Sequence, residues 1–308
     1  MLSRSAEHLF WAARYLERAE GAARLIEMGL RMTLIPGASR DEWRSVAAVA
    51  GAAHLFEDDE RITEARIVEQ LVLSSENHFS IRHYLNRARE NARAVRTGIT
   101  AEMWEALNDG WRRLEMLDPA AASRDLPAIL EWVKTRASVF RGASETSMLR
   151  TDGYYFLRIG GLLERADLTL RLLDVKYFVL LPETETVGGG RDHHQWTSVL
   201  HATSASRAYH HVYRGDFSPW KITDFLILNQ RFPRSVAYCY NELSRYLELL
   251  ALAYGRRHHC HSLSAQMVAR LADTEMGELF QSGLHEFTTE AIDHSAKLSG
   301  AISRAYYF

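Results

Sequence analysis

The chain is poor in residues that staple or break a fold. Cys239 and Cys260 are its only two cysteines in 308 residues. They have no Cys-x-x-Cys spacing, which excludes a disulfide framework and a cysteine zinc site and fits a reducing compartment. Six prolines leave few interruptions to long helices. The most apolar stretches, residues 177–181 and 247–254, fall far short of the roughly 20 residues that cross a bilayer as a helix. Residues 1–13 carry Glu7 and His8 where a secretory leader would be apolar. A formal net charge of −2 gives no general attraction to nucleic acid or to an anionic membrane. These absences together predict a soluble, cytoplasmic protein.

Chemical signatures are equally sparse. There is no Gly-x-x-x-x-Gly-Lys loop and no dinucleotide fingerprint. Three glycines, Gly188 to Gly190, lack the Lys-Ser/Thr that would make them a phosphate loop. The Glu-x-x-His pairs of di-metal bundles are missing, since Glu290 and His294 stand at the wrong offset. His258, His259, Cys260 and His261 are dense in ligand atoms, but neighbours in sequence point in different directions, so a polar loop is expected there. No nucleophile and base can be paired from chain order alone. No metal and no cofactor is expected.

What is present is helical periodicity. Trp11, Ala12, Tyr15, Leu16, Ala19, Ala22, Ala23 and Ile26 make one broad apolar face on a helix over residues 3–34, with Glu17, Glu20, Arg24 and Glu27 opposite. Ser39 with Glu42 reads as a capping box ahead of a second helix. Further helices are expected near residues 63–73, 77–97, 100–117, 126–140, 153–181 and 192–213. Others follow Ser218-Pro219, run from Phe232-Pro233 to about residue 254, and cover residues 264–306. Asp118-Pro119 reads as the start of a loop, and residues 182–192 as a flexible one. No segment alternates with period two between hairpin signals, so the fold class is all-α.

The most informative pattern is a self-match. Leu16-Glu17-Arg18-Ala19 recurs as Leu163-Glu164-Arg165-Ala166, and Arg24-Leu25 recurs as Arg171-Leu172. Glu20 and Glu27 become Asp167 and Asp174 with the charge kept. This predicts two related antiparallel helical bundles with a pseudo-twofold repeat, about residues 1–147 and 148–308, packed as one domain over 1–308. Small residues Ala19, Gly21, Ala22, Gly160 and Gly161 would let the two Glu-Arg helices approach closely. Glu20–Arg24 and Asp167–Arg171 are also explained as (i, i+4) pairs on a solvated face. Arg18 and Arg165, at the rim of the apolar face, call for carboxylate partners.

The opening Met1-Leu-Ser-Arg with Trp11 to Ala19 resembles the bacterial alpha-E family. So do Glu90-Asn-Ala-Arg93-Ala-Val-Arg96 with Met103 to Asn108, Gly153 to Ala166, Phe225 to Asn229, and Phe232 to Val236. The resemblance covers nearly the whole chain and implies an all-helical domain without a settled activity. Family members are encoded beside, or fused to, a circularly permuted ATP-grasp protein, often with a transglutaminase-like peptidase. That company implies an accessory or partner subunit of an amide or peptide ligase system that makes or processes a peptide or peptide tag. Two alternatives stay open: an enzyme acting on a peptide or activated carboxylate, and a purely structural oligomer. A homo-oligomer is compatible with all three. The candidate ligand-binding residues are Arg14, Glu17, Arg18, Arg93, Arg96, Glu164, Arg165 and Arg234, because arginine forks suit carboxylates and phosphates.

Overall fold

The computed structural model describes residues 1–33, 42–57, 61–178 and 190–308. Among them are fifteen α-helices and no strand. Side-chain caps start many of the helices. Thr63 Oγ1 accepts the amide of Arg66 ahead of a short helix. Ser80 does so for His83, Thr100 for Met103, Ser218 for Lys221 and Ser235 for Tyr238.

The chain divides into two compact units, Met1–Gly161 and Leu162–Phe308. The first is built on α1 (Ser3–Thr33). After α2 (Glu42–Val49) and α3 (Glu64–Ile67), which runs on into a π-helical turn, come α4 (Ile81–Ala94), α5 (Ala101–Glu115), α6 (Pro119–Arg124) and α7 (Leu126–Ser147). Cross-links between helices show their directions. His8 on α1 donates to Asn91 on α4 at 2.9 Å, whereas Tyr15, further along α1, meets Tyr84, further back on α4. Arg89 on α4 reaches Asn108 on α5 at 3.1 Å, and Arg136 on α7 reaches Asp109 on α5 at 2.9 Å. Arg141 on α7 meets Glu17, and Lys134 meets Glu27. Each helix is thus antiparallel to the next, and α7 closes the ring onto α1. This is an up-and-down four-helix bundle. Its core includes Leu9, Phe10, Leu16, Ile26, Leu85, Met103, Leu130 and Phe140, each fully or almost fully buried. Burial of a side chain of this size contributes about 1.5–3 kcal/mol.

The next helix, α8 (Asp152–Phe178), begins in this unit and ends in the other. Its first turns lie parallel to α1. The Met1 ammonium pairs with Asp152 at 2.7 Å, and a Cβ at Gly160 would collide with the backbone carbonyl of Phe10. Glycine there lets the two backbones touch. The expected close approach is therefore present between α1 and the part of α8 up to Gly161.

The second unit holds the rest of α8, then α9 (Gly190–Ala202), α10 (Ser206–Tyr213), α11 (Pro219–Leu228), α12 (Val236–Tyr254), α13 (His259–Asp273), α14 (Met276–Ser282) and α15 (Leu284–Tyr306). α12 and α13 form an antiparallel hairpin through Gly255, whose φ of 65° suits glycine. α15 runs back along α13, with Arg270 on Glu290 at 2.7 Å.

Several expected boundaries move. Asp118-Pro119 starts a helix, not a loop, because Asp118 caps Ala121 at 3.0 Å and Pro119 fills the first turn. The helix expected over 192–213 is two, broken where Ser204 turns to a φ of 54°. The last helical region is three, broken before Glu275 and at Gly283, with φ 103°. Ser39, and most of the loop expected over 182–192, lie outside the described residues.

Candidate functional site

α1 is buried on almost every side, so the charged face of the Glu-Arg motif is not solvated. Glu20 is wholly enclosed and Glu17 is 4% exposed. Carboxylates at such depth need cations and hydrogen bonds around them. Arg24 supplies both to Glu20, its Nε and Nη2 donating to Oε1 at 2.9 and 2.6 Å. Arg141, arriving from α7, donates to Glu17 Oε1 at 3.0 Å and also to Glu20 Oε2. Two turns on, Lys134 donates to Glu27 at 2.7 Å and Arg31 at 3.3 Å. Burial would raise the Glu27 carboxyl, but these two cations more than offset it and hold it below the usual range. The acidic column of α1 is a brace between α1 and α7.

The motif arginine has a different setting. Arg18 is half-buried, its guanidinium 5.8 Å from the Trp11 ring centroid and 5.6 Å from that of Tyr15. It lines an open cleft of about 430 Å³ together with Tyr15, His78, Phe79, His83, Tyr84 and Arg87. Arg87 also lies over the Tyr15 ring, at 5.7 Å, and pairs with Glu90 at 2.9 Å. A hydrogen bond to Tyr15 is the largest influence on Arg87 and raises its pKa, holding the guanidinium charged. The His78 and His83 rings stand 4.8 Å apart. Burial, then the charges of His78 and Arg87, push His83 below the ordinary histidine range, against a weaker pull from Glu90.

The second copy of the motif is built differently. Glu164 and Arg165 are buried, and Arg165 donates to the Pro233 carbonyl at 3.4 Å. Thr169, one turn on, donates to the Arg234 carbonyl at 2.8 Å. The loop ahead of α12 is thereby fastened to α8, which brings Arg165 and the backbone of Arg234 together. Asp167–Arg171 is a surface pair at 2.6 Å, as the solvated reading had it. Asp174 accepts from His285 at 2.6 Å and from Thr288 at 3.0 Å.

The remaining candidates scatter. Arg14 is buried against the Phe10 and Trp11 rings. Arg93 and Arg96 are exposed at the end of α4, Arg96 over Trp104 at 5.4 Å. The His258–His261 run is not a loop, because α13 begins within it. His261 Nδ1 accepts the His258 amide at 2.9 Å, so Nε2 carries the proton and donates to the Leu247 carbonyl at 3.0 Å. Both ring nitrogens are thus engaged in capping α13 and tying it to α12. Among the described residues no group of three metal-ligating side chains forms.

Sequence reasoning missed Arg141 and Lys134, because their partners lie 124 and 107 residues away. It also missed the cleft wall on α4. The signal there was local: His83, Arg87 and Asn91 recur every four residues and share a face.

No curated protein and no solved structure matches the chain. A family model does match, over residues 1–307, and is described as a predicted alpha-helical domain with a conserved ER motif. Both copies of Glu-Arg, at 17–18 and 164–165, fall within that span. The chain therefore belongs to the Alpha-E family.

Proposed function

We propose that this chain is an accessory or partner subunit of an ATP-grasp-type amide or peptide ligase system, working in the cytoplasm where ATP is supplied. The observation that carries this reading is the division of the motif. Both oxygens of Glu20 and Oε1 of Glu17 accept from the guanidinium groups of Arg24 and Arg141, which suits these carboxylates to bracing and not to attack or proton transfer. Arg18 and its neighbours in the cleft are groups that bind and orient anions. Activation of a carboxylate is then left to the ATP-grasp protein. On this reading Glu17-Arg18 and Glu164-Arg165 are equivalent positions of two related bundles.

The test is co-elution of the purified chain with a circularly permuted ATP-grasp protein of the same organism. A stable complex at micromolar concentration is expected. Separate elution, with ligase activity indifferent to the added chain, overturns the partner reading.

A further inference from the structure

We propose that a second cleft of the first unit, between the π-helical turn and the start of α4, binds a zwitterion: a free amino acid or short peptide, its carboxylate on Arg82 and its ammonium on Glu76. The inference goes beyond the partner reading, because it assigns a ligand to the isolated chain.

The cleft has a volume of about 480 Å³, within the range of small-molecule sites. One wall is the π-helical turn, Val68–Leu73, a geometry that recurs at functional sites. Another is the loop of residues 74–80, which its own hydrogen bonds hold in place. Ser74 Oγ accepts the Asn77 amide at 3.0 Å, Asn77 Nδ2 donates to the Gln70 carbonyl at 2.8 Å, and Ser80 Oγ donates to the Ser74 carbonyl at 2.6 Å. That wall is set before a ligand arrives, which lowers the cost of binding. Leu55, Leu73 and Leu117 add apolar surface.

The charged side chains of the lining carry the proposal. Glu69 is taken by Arg66 at 2.6 Å. Arg82 and Glu76 have no ion-pair partner among the described residues. The Arg82 guanidinium, 5.9 Å from the Trp111 ring centroid, has five N–H donors and makes one long hydrogen bond, from Nη1 to the Leu73 carbonyl at 3.5 Å. Its Nε is buried without a partner. Buried donors in that state are rare in folded proteins, and a carboxylate settling on the fork supplies the acceptors. With Glu69 occupied, the two remaining charges are one of each sign. A simple anion would be opposed by Glu76 and a simple cation by Arg82. A ligand carrying both signs satisfies both, and the leucine wall suits an aliphatic side chain.

Calorimetric titration of the purified chain with leucine, leucyl-leucine, N-acetyl-leucine and leucinamide tests this. N-acetyl-leucine keeps only the carboxylate and leucinamide only the ammonium. Each is expected to bind about tenfold or more weakly than the tighter zwitterion. Arg82→Gln should weaken that zwitterion by a similar factor and bind leucinamide no more weakly than before. Glu76→Gln should weaken it too and bind N-acetyl-leucine no more weakly. Glu76 is exposed, so that variant keeps the fold, and an unchanged unfolding midpoint verifies it. Leucyl-leucine binding more tightly than leucine supports a peptide as the ligand, and the reverse order supports a free amino acid. Three results each overturn the assignment: no binding of either zwitterion at millimolar concentration, N-acetyl-leucine or leucinamide binding as tightly as the zwitterions, or Glu76→Gln binding them like the unaltered chain. Co-elution with the ATP-grasp protein is measured separately, so failure here leaves the partner reading standing, and the converse holds.

Discussion

Glu20 has no contact with solvent, whereas Arg141, which reaches it from α7, is 23% exposed on its side chain. Removing the carboxylate takes the Glu20 ion pair from both Arg24 and Arg141, and Arg141 keeps Glu17. Removing Arg141 still leaves Arg24 on Glu20. Glu20→Ala is expected to cost about 3–5 kcal/mol and Arg141→Ala about 1–3 kcal/mol in urea unfolding. Losses within about 0.5 kcal/mol for both would mean that the brace contributes little. Arg165, buried and bonded to Pro233, should lose more on truncation than half-exposed Arg18. Glu27 gives a pH signature. Its folded pKa lies below the ordinary 4.5, so its contribution is present above that value and disappears as pH falls through the lowered one. Thermal midpoints followed from neutral pH into acid should fall less steeply for Glu27→Gln than for the unaltered chain.

At the scale of helices, two glycines should respond oppositely to alanine. Gly160 touches the Phe10 backbone, so a methyl group must push α8 from α1, at a cost of about 1–3 kcal/mol. Gly142 on α7 has open space around it, and Gly142→Ala should stabilise by about 0.5–1 kcal/mol. Urea midpoints moving the same way for both would refute the close approach. His261→Ala should destabilise by about 1–3 kcal/mol by leaving the Leu247 carbonyl and the His258 amide unpaired, while a zinc chelator leaves the midpoint unchanged. Element identity was legible in the sequence because caps are local: Thr100 and Ser218-Pro219 mark helix starts by their own side chains. Asp118-Pro119 carries the same signal, although Asp-Pro also suits a turn. The breaks at Ser204 and Gly283 were not legible, since long apolar periodicity continues through them. The burial of Glu20 was not legible either. On a wheel it falls with the polar residues, and only the arrival of α7 with Arg141 turns that face into an interior.

The whole molecule is a helical protein in two compact units, of a family marked by a Glu-Arg motif it carries twice. Among its described residues no helix is long and apolar enough to cross a membrane. In the proposed role, any ligase chemistry belongs to a complex and the motif serves structure and binding. The decisive measurement is ATP turnover and amide formation by the purified chain given ATP with amino acids or peptides, alone and with the ATP-grasp protein. The expected result is no turnover by the chain alone and amide formation in the mixture, reduced when Arg87→Gln replaces the unaltered chain. Turnover by the isolated chain, abolished by Glu17→Gln with its unfolding midpoint unchanged, would contradict it and make the chain an enzyme.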